Sequence, residues 1–210
     1  MFGAPMNRAF PELSQALALL LQRIDEEIRK SNYGGPPIRM YLVGGLAVNY
    51  YCGARYTEDV DAFYSKRLHT GSHVVNYRKK DGKDAYLYLD NNFNQTLRLL
   101  HQDFDSAAVE WEGVGNEGRM IRLYVLSPLD LAVTKISRFS EQDREDILVL
   151  SRAMPFGADA LKDRATEALG DFIGDLSPVK LSIQLICDEI ARDQELTRSR
   201  QVERPERELE

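Results

Sequence analysis

Asp59 and Asp61 stand at alternate positions in the stretch Thr57-Glu58-Asp59-Val60-Asp61-Ala62. Residues two apart on an extended strand point the same way, so the spacing predicts both carboxylates on one face, with Val60 and Ala62 packed on the other. Paired carboxylates are hard oxygen donors, the ligands that a divalent cation such as Mg²⁺ takes. Upstream, the apolar run Met40 to Val43 ends in Gly44-Gly45, with thirteen residues between Gly45 and Asp59. A glycine pair at a strand-to-helix turn lets the backbone approach a phosphate closely, and the helix N-terminus adds unpaired N–H donors and the positive end of the dipole. Together the two patterns describe a place where Mg²⁺ is held against a triphosphate cradled by the turn. Each has a plainer reading: solvent-facing aspartates on an edge strand, and glycines that allow close packing.

These residues need a strand, a helix and a second strand to position them, and the flanking sequence supplies all three. Met40 to Val43 reads as the first strand, about Leu46 to Cys52 as a helix that Gly53 terminates, and the segment with the aspartates as the second strand. Before them, Leu13, Ala16, Leu17, Leu20, Leu21 and Ile24 recur at helical spacing and predict an amphipathic helix from Phe10 to Arg29. The polar segment from Ser65 to Gly82, followed by Lys83, reads as a solvated loop, or else as a phosphate-binding lip through Arg78, Lys79, Lys80 and Lys83. A short extended piece and a short helix bearing Leu97, Leu99 and Leu100 are expected next. Two antiparallel strands then flank the Gly-Asn-Glu-Gly turn, with Glu110 and Glu112 on one face of the first. Ser127-Pro128 and Ser140 are helix-start signals. Further helices are expected over Ala158 to Phe172 and Val179 to Asp193.

Composition excludes several classes. The 210-residue chain is 43% apolar with ten tyrosines, enough for a core. A net charge of -6 argues against a general nucleic-acid coat. Cys52 and Cys187 lie in apolar, helix-like segments and read as buried free thiols in a reducing compartment. His69 and His73 read as solvated loop residues, and neither they nor His101 have zinc spacing with a cysteine. No stretch approaches the roughly 18 apolar residues of a membrane span, so a cytoplasmic protein without membrane contact is expected.

The constellation Val43-Gly44-Gly45 through Asp59-Val60-Asp61 resembles the nucleotidyltransferase superfamily of the DNA polymerase beta type. Within it, the chain is most similar to an uncharacterised bacterial nucleotidyltransferase-like family related to the AbiEii-type proteins of toxin-antitoxin and phage-defence systems. The segments GARYTEDVDA, LDNNFNQTLRLLHQDF and LYVLSPLDLAVTKISRFSEQDREDI carry that similarity, from about Met40 to Ile147. It implies a Mg²⁺ cofactor and a nucleoside triphosphate substrate, with Gly44 and Gly45 as the phosphate turn and Asp59 and Asp61 as metal ligands. Arg55 and Thr57 would line the same pocket, or serve as a surface ion-pair residue and a strand-entry hydroxyl. Lys135 would reach the triphosphate, or form a salt bridge to Asp143 or Asp146. Active members of the superfamily usually add a third carboxylate from a neighbouring strand. The strand from Ile121 to Leu126 has Arg122 and Tyr124 instead, which leaves Glu110 or Glu112 as the candidate, or both as solvent-facing residues.

The expected fold is therefore α/β: a nucleotidyltransferase-like mixed twisted sheet flanked by helices over residues 1–126, a helical region packed on it over 127–196, and a disordered tail over 197–210. The expected function is Mg²⁺-dependent transfer of a nucleoside monophosphate from an NTP to a hydroxyl of RNA, protein or a small molecule, in a toxin-antitoxin or defence setting. The alternatives are a nucleotide-binding pseudoenzyme, or an interaction protein paired with a cognate toxin or antitoxin on the same fold.

Overall fold

A computed structural model of the chain describes residues 7–53, 56–68, 71–89, 98–154 and 156–202. The apolar stripe near the N-terminus forms α1 (Pro11–Lys30), and all six residues of the predicted stripe are buried, with Ile28 extending it by one turn. It covers a four-stranded mixed sheet of order β2-β1-β6-β5, built from β1 (Ile38–Leu42), β2 (Ala62–Tyr64), β5 (Val109–Glu110) and β6 (Ile121–Val125). The central strands β1 and β6 run parallel, with Leu42 beside Val125, while β2 and β5 pair antiparallel on the two edges. The other face of the sheet holds Tyr41, Phe63 and Tyr124. Phe104 packs against Tyr41 with ring centroids 5.2 Å apart and against Phe63 at 5.9 Å.

Between β1 and β2 the chain forms α2 (Gly44–Cys52), which stops at Gly53 in the left-handed conformation with φ 59°. A residue with no Cβ takes that conformation without the cost that other residues bear. The segment expected to be a solvated loop departs from expectation. It contains β3 (His73–Arg78), which pairs as a hairpin with β4 (Asp84–Leu89), where the extended piece was expected, and β3 packs on α1. The alternation of Val75, Tyr77, Ala85, Leu87 and Leu89 was the available signal, and the lysines that masked it cluster at the turn. His73 is consequently buried on β3, with its Nε2 3.6 Å from Glu27, rather than solvated in a loop. His69 lies outside the described residues.

The C-terminal third is helical, as expected: α3 (Pro128–Ile136), α4 (Glu141–Ala153), α5 (Ala158–Ala168) followed by a 3-10 turn, and α6 (Leu176–Val202). Ser127 Oγ accepts from Asp130 N at 3.1 Å. Ser140 and Asp143 close a reciprocal capping box at the start of α4. These helices bury a second apolar cluster around Ile136, Ile147, Leu161 and Ile186. The expected short helix is not found at its described end, since Arg98 to Leu100 are not helical; Leu97 lies outside the described residues. The helix α6 runs through Val202, past Thr197, where an unstructured tail was expected; residues 203–210 lie outside the described set. Cys52 and Cys187 are free thiols, and burial pushes each up to about 11. Among the described residues no helix is long and apolar enough to cross a membrane.

Candidate active site

The parallel strands β1 and β6 deliver the chain to one end of the sheet, where β1 turns into α2. Gly44, the first residue of α2, has φ 65°, and Val43 before it offers no side chain to cap the helix. The N–H groups of the first turn of α2 are therefore left to other acceptors, in the part of the helix where anions are favoured.

The acidic segment returns to this end. Asp61 lies just before β2, where its carbonyl accepts from Val43 N at 3.0 Å. Asp59 forms a parallel bridge with Tyr88 of β4, held by Val60 N to Tyr88 O at 2.8 Å and Tyr88 N to Glu58 O at 2.7 Å. The aspartates thus sit in an extended lead-in to a short strand rather than within the strand, which begins at Ala62. The period-two pattern holds nonetheless. Val60 and Ala62 are buried, Asp59 is exposed and Asp61 is half-buried.

The acidic segment and the glycine turn are in direct contact. A Cβ on Gly44 would overlap the Asp61 carboxylate at Oδ2, and a Cβ on Gly45 would lie 3.2 Å from Thr57 Oγ1. Both glycines therefore let the Asp61 and Thr57 side chains pack directly against the start of α2. Burial pushes the Asp61 carboxyl above its ordinary range, opposed by Arg98 and assisted by the Asp59 charge, with Lys135 and Arg138 also lowering it. Desolvation, more than repulsion between the aspartates, is what favours the protonated form.

Three cations face Asp61 in this way, and they are held differently. Lys135 on α3 is buried, with Nζ 2.7 Å from Asp146 Oδ2 and 3.7 Å from Asp143 Oδ1. The salt-bridge alternative is thus the contact this lysine makes. Arg138 binds Asp143 through both prongs of its fork, at 2.6 and 2.7 Å. Arg98 Nη2 lies 3.5 Å from Asp61 Oδ2 itself. Arg98 and Arg138 lie outside the glycine and aspartate motifs. An arginine set in the apolar run Leu97-Arg98-Leu99-Leu100 was a signal, because arginine rarely enters an apolar segment without a buried partner.

Of the other candidates, Thr57 packs against Gly45 and Arg55 lies outside the described residues. Glu110 is not brought to the site. It sits on β5 at the opposite edge of the sheet, three strand spacings of about 4.8 Å from β2, where its Oε1 accepts from Asn116 Nδ2 at 3.0 Å. Glu112 follows it and is exposed. Among the described residues no three His, Cys, Asp or Glu side chains gather to hold a metal. Two carboxylates still fit Mg²⁺, which typically takes one or two protein carboxylates, completing its shell with water and substrate phosphate. Asp61 packs directly against the Cβ-free Gly44 at the start of α2.

In comparison with known proteins, residues 20–178 match the family described as nucleotidyltransferase of unknown function (DUF6036). No curated protein matches the chain.

Proposed function

The chain belongs to that family of nucleotidyltransferases of unknown function, and on this premise we propose that it transfers a nucleoside monophosphate from a Mg²⁺-bound NTP to a hydroxyl of RNA, protein or a small molecule. One observation carries the reading: Asp61 lies against Gly44, so a carboxylate and an uncapped helix N-terminus stand side by side. The N–H groups at the start of α2 bind the phosphate oxygens. The Thr57 hydroxyl, beside Gly45, donates to the same phosphate chain. Asp59 and Asp61 hold the cation. When bound, Mg²⁺ offsets the negative charge that builds on the transferred phosphate. The acceptor oxygen forms a bond to the α-phosphorus, the bond from that phosphorus to the bridging oxygen breaks, pyrophosphate leaves, and the hydroxyl proton passes to solvent or a carboxylate.

A second reading, a protein that binds Mg²⁺-NTP without turning it over, is favoured by the place of Glu110. Two-metal chemistry uses a carboxylate that both ions share, and among the described residues none stands beside the pair. Incubation with each labelled NTP, Mg²⁺ and total cellular RNA or protein separates the two. Transfer predicts label on a macromolecule that is absent with Asp61→Asn. Tight metal-dependent NTP binding without label on any acceptor would support the second reading.

A further inference from the structure

The row of side chains that includes Asp59 continues beyond the acidic segment. The parallel bridge pairs Asp59 with Tyr88 of β4, and Tyr88 pairs in turn with Val74 of β3. Residues paired across neighbouring strands project from the same face, as do residues two apart on one strand. Asp59, Tyr88 and Val74 therefore share one face, with Tyr86 and its partner Asn76 forming the next row. The opposite face, with Val60, Val75 and Leu87, is buried in the core. The face that carries Asp59 is open: Val74 is 48% and Tyr86 42% exposed.

The chemistry of this face changes with distance from the aspartates. Nearest to Asp59 are two aromatic rings, Tyr88 and then Tyr86, whose hydroxyl is hydrogen-bonded to the Glu58 side chain. Asn76 beside Tyr86 offers both a donor and an acceptor. Beyond the rings, the hairpin turn carries Arg78, Lys79, Lys80 and Lys83 against Asp81 and Asp84. Arg78 Nε lies 3.2 Å from Asp84 Oδ1, and Lys83 Nζ lies 3.2 Å from Asp81 Oδ2. Lys79 and Lys80 are the charge in excess, a local basic end on a chain of net charge -6. At about 3.4 Å per residue, β4 runs about 14 Å from Tyr88 to Asp84, more than one nucleobase covers.

We propose that this face is the acceptor site and that the acceptor is the end of a single-stranded nucleic acid, with its terminal hydroxyl beside Asp59 and Asp61, its last bases stacked on Tyr88 and Tyr86, and its phosphates running toward Lys79 and Lys80. Resting on the nucleotidyltransferase reading, the inference names the acceptor class within it. Rings near the carboxylates with cations beyond them match a strand whose bases stack and whose backbone is charged. The base of a lone nucleotide would leave the basic end unused, and an acidic protein segment would leave the rings unused. A duplex keeps its bases stacked on one another, so its ends alone could meet the tyrosines.

The test is fluorescence anisotropy with short labelled single strands of RNA and of DNA, and with the matching duplexes, at several salt concentrations. The proteins are the parent, Tyr86→Ala, Tyr86→Phe, Tyr88→Ala, Tyr88→Phe and the double variant Lys79→Ala with Lys80→Ala. The parent is expected to bind a single strand more tightly than the duplex, and the better-bound of RNA and DNA identifies the acceptor. Each alanine variant of a tyrosine should lose about tenfold in affinity, while each phenylalanine variant, which keeps the ring, should bind like the parent. The lysine variant should weaken binding for every sequence and flatten its salt dependence. Tyr86 is exposed, so its variants carry the test even where Tyr88→Ala does not fold. No single-strand binding by the parent, a duplex bound as tightly as the single strand, or a folded Tyr86→Ala that binds like the parent would overturn the inference. A parent whose melting temperature shows no Mg²⁺-dependent NTP shift would instead overturn the reading beneath it.

Discussion

The Asp61 carboxylate rests on the α-carbon of Gly44, with Oδ2 in the space that any side chain at position 44 would need. The conformation of Gly44, at φ 65°, adds a second reason for glycine there. The contact brings the two sequence patterns together, and it makes Gly44 the more demanding of the two glycines.

Gly44→Ala should therefore cost about 1–2 kcal/mol for the left-handed backbone alone, and more for the displaced carboxylate. Gly45→Ala, with its Cβ 3.2 Å from Thr57 and no positive φ, should cost less. Urea unfolding followed by fluorescence of Trp111, the single tryptophan, would read the difference. Equal stability of the two variants would show that the Gly44 contact relaxes freely.

Lys135→Met should be strongly destabilising, because it leaves Asp143 and Asp146 buried without their shared cation. Breaking one side of a buried ion pair typically costs about 3–5 kcal/mol. The double variant Lys135→Met with Asp146→Asn should recover much of that loss in the same unfolding experiment. If the single variant unfolds like the parent, the lysine is not held as the geometry indicates.

Acid should act through Asp143. Burial alone would raise its carboxyl, but hydrogen bonds from Arg138 and Ser140 and the Lys135 charge outweigh it and hold it at about 2. A carboxylate depressed on folding adds stability that is complete above its ordinary value, 3.8, and is lost as pH falls toward 2. The shift is worth about 2 kcal/mol. Asp143→Asn should be less stable than the parent at neutral pH, and it should lose less between pH 4 and pH 2. Parallel stability curves for the two proteins would contradict this.

The local devices were legible in the sequence: the stripe on α1, Gly53 ending α2, the serine caps of α3 and α4, and the alternation around Asp59 and Asp61. Each is a pattern within a few residues, written by backbone geometry. What was not legible depends on distant pairing. Nothing near Asp59 announces its bridge to Tyr88, and the lysines at the β3–β4 turn hid the apolar alternation of the hairpin. Glu110 looked eligible because its strand neighbours β6 in the chain. Only the order β2-β1-β6-β5 shows that it lies on the wrong edge. The salt bridge of Lys135 to Asp143 and Asp146, near it in sequence, was legible as one of two readings, whereas the contact of Arg98 with the distant Asp61 was not.

Removal of the chain from Thr197 onward should change the melting temperature by less than a few degrees. The residues of α6 from Glu195 to Ser199 are exposed, so the last helical turns bury little. A larger fall would indicate that this end of α6 packs on a second molecule.

Asp59 and Asp61 are proposed to hold a cation together with a nucleotide beside Gly44. The direct measurement is a set of melting curves for the parent, Asp59→Asn and Asp61→Asn at fixed ionic strength, with and without Mg²⁺ and each NTP. A ligand that binds only the folded protein raises its midpoint by mass action. A rise is expected for the parent only when Mg²⁺ and an NTP are both present, and it should be lost in each Asn variant. No metal-dependent nucleotide shift in the parent, or a full shift retained by both variants, would contradict it.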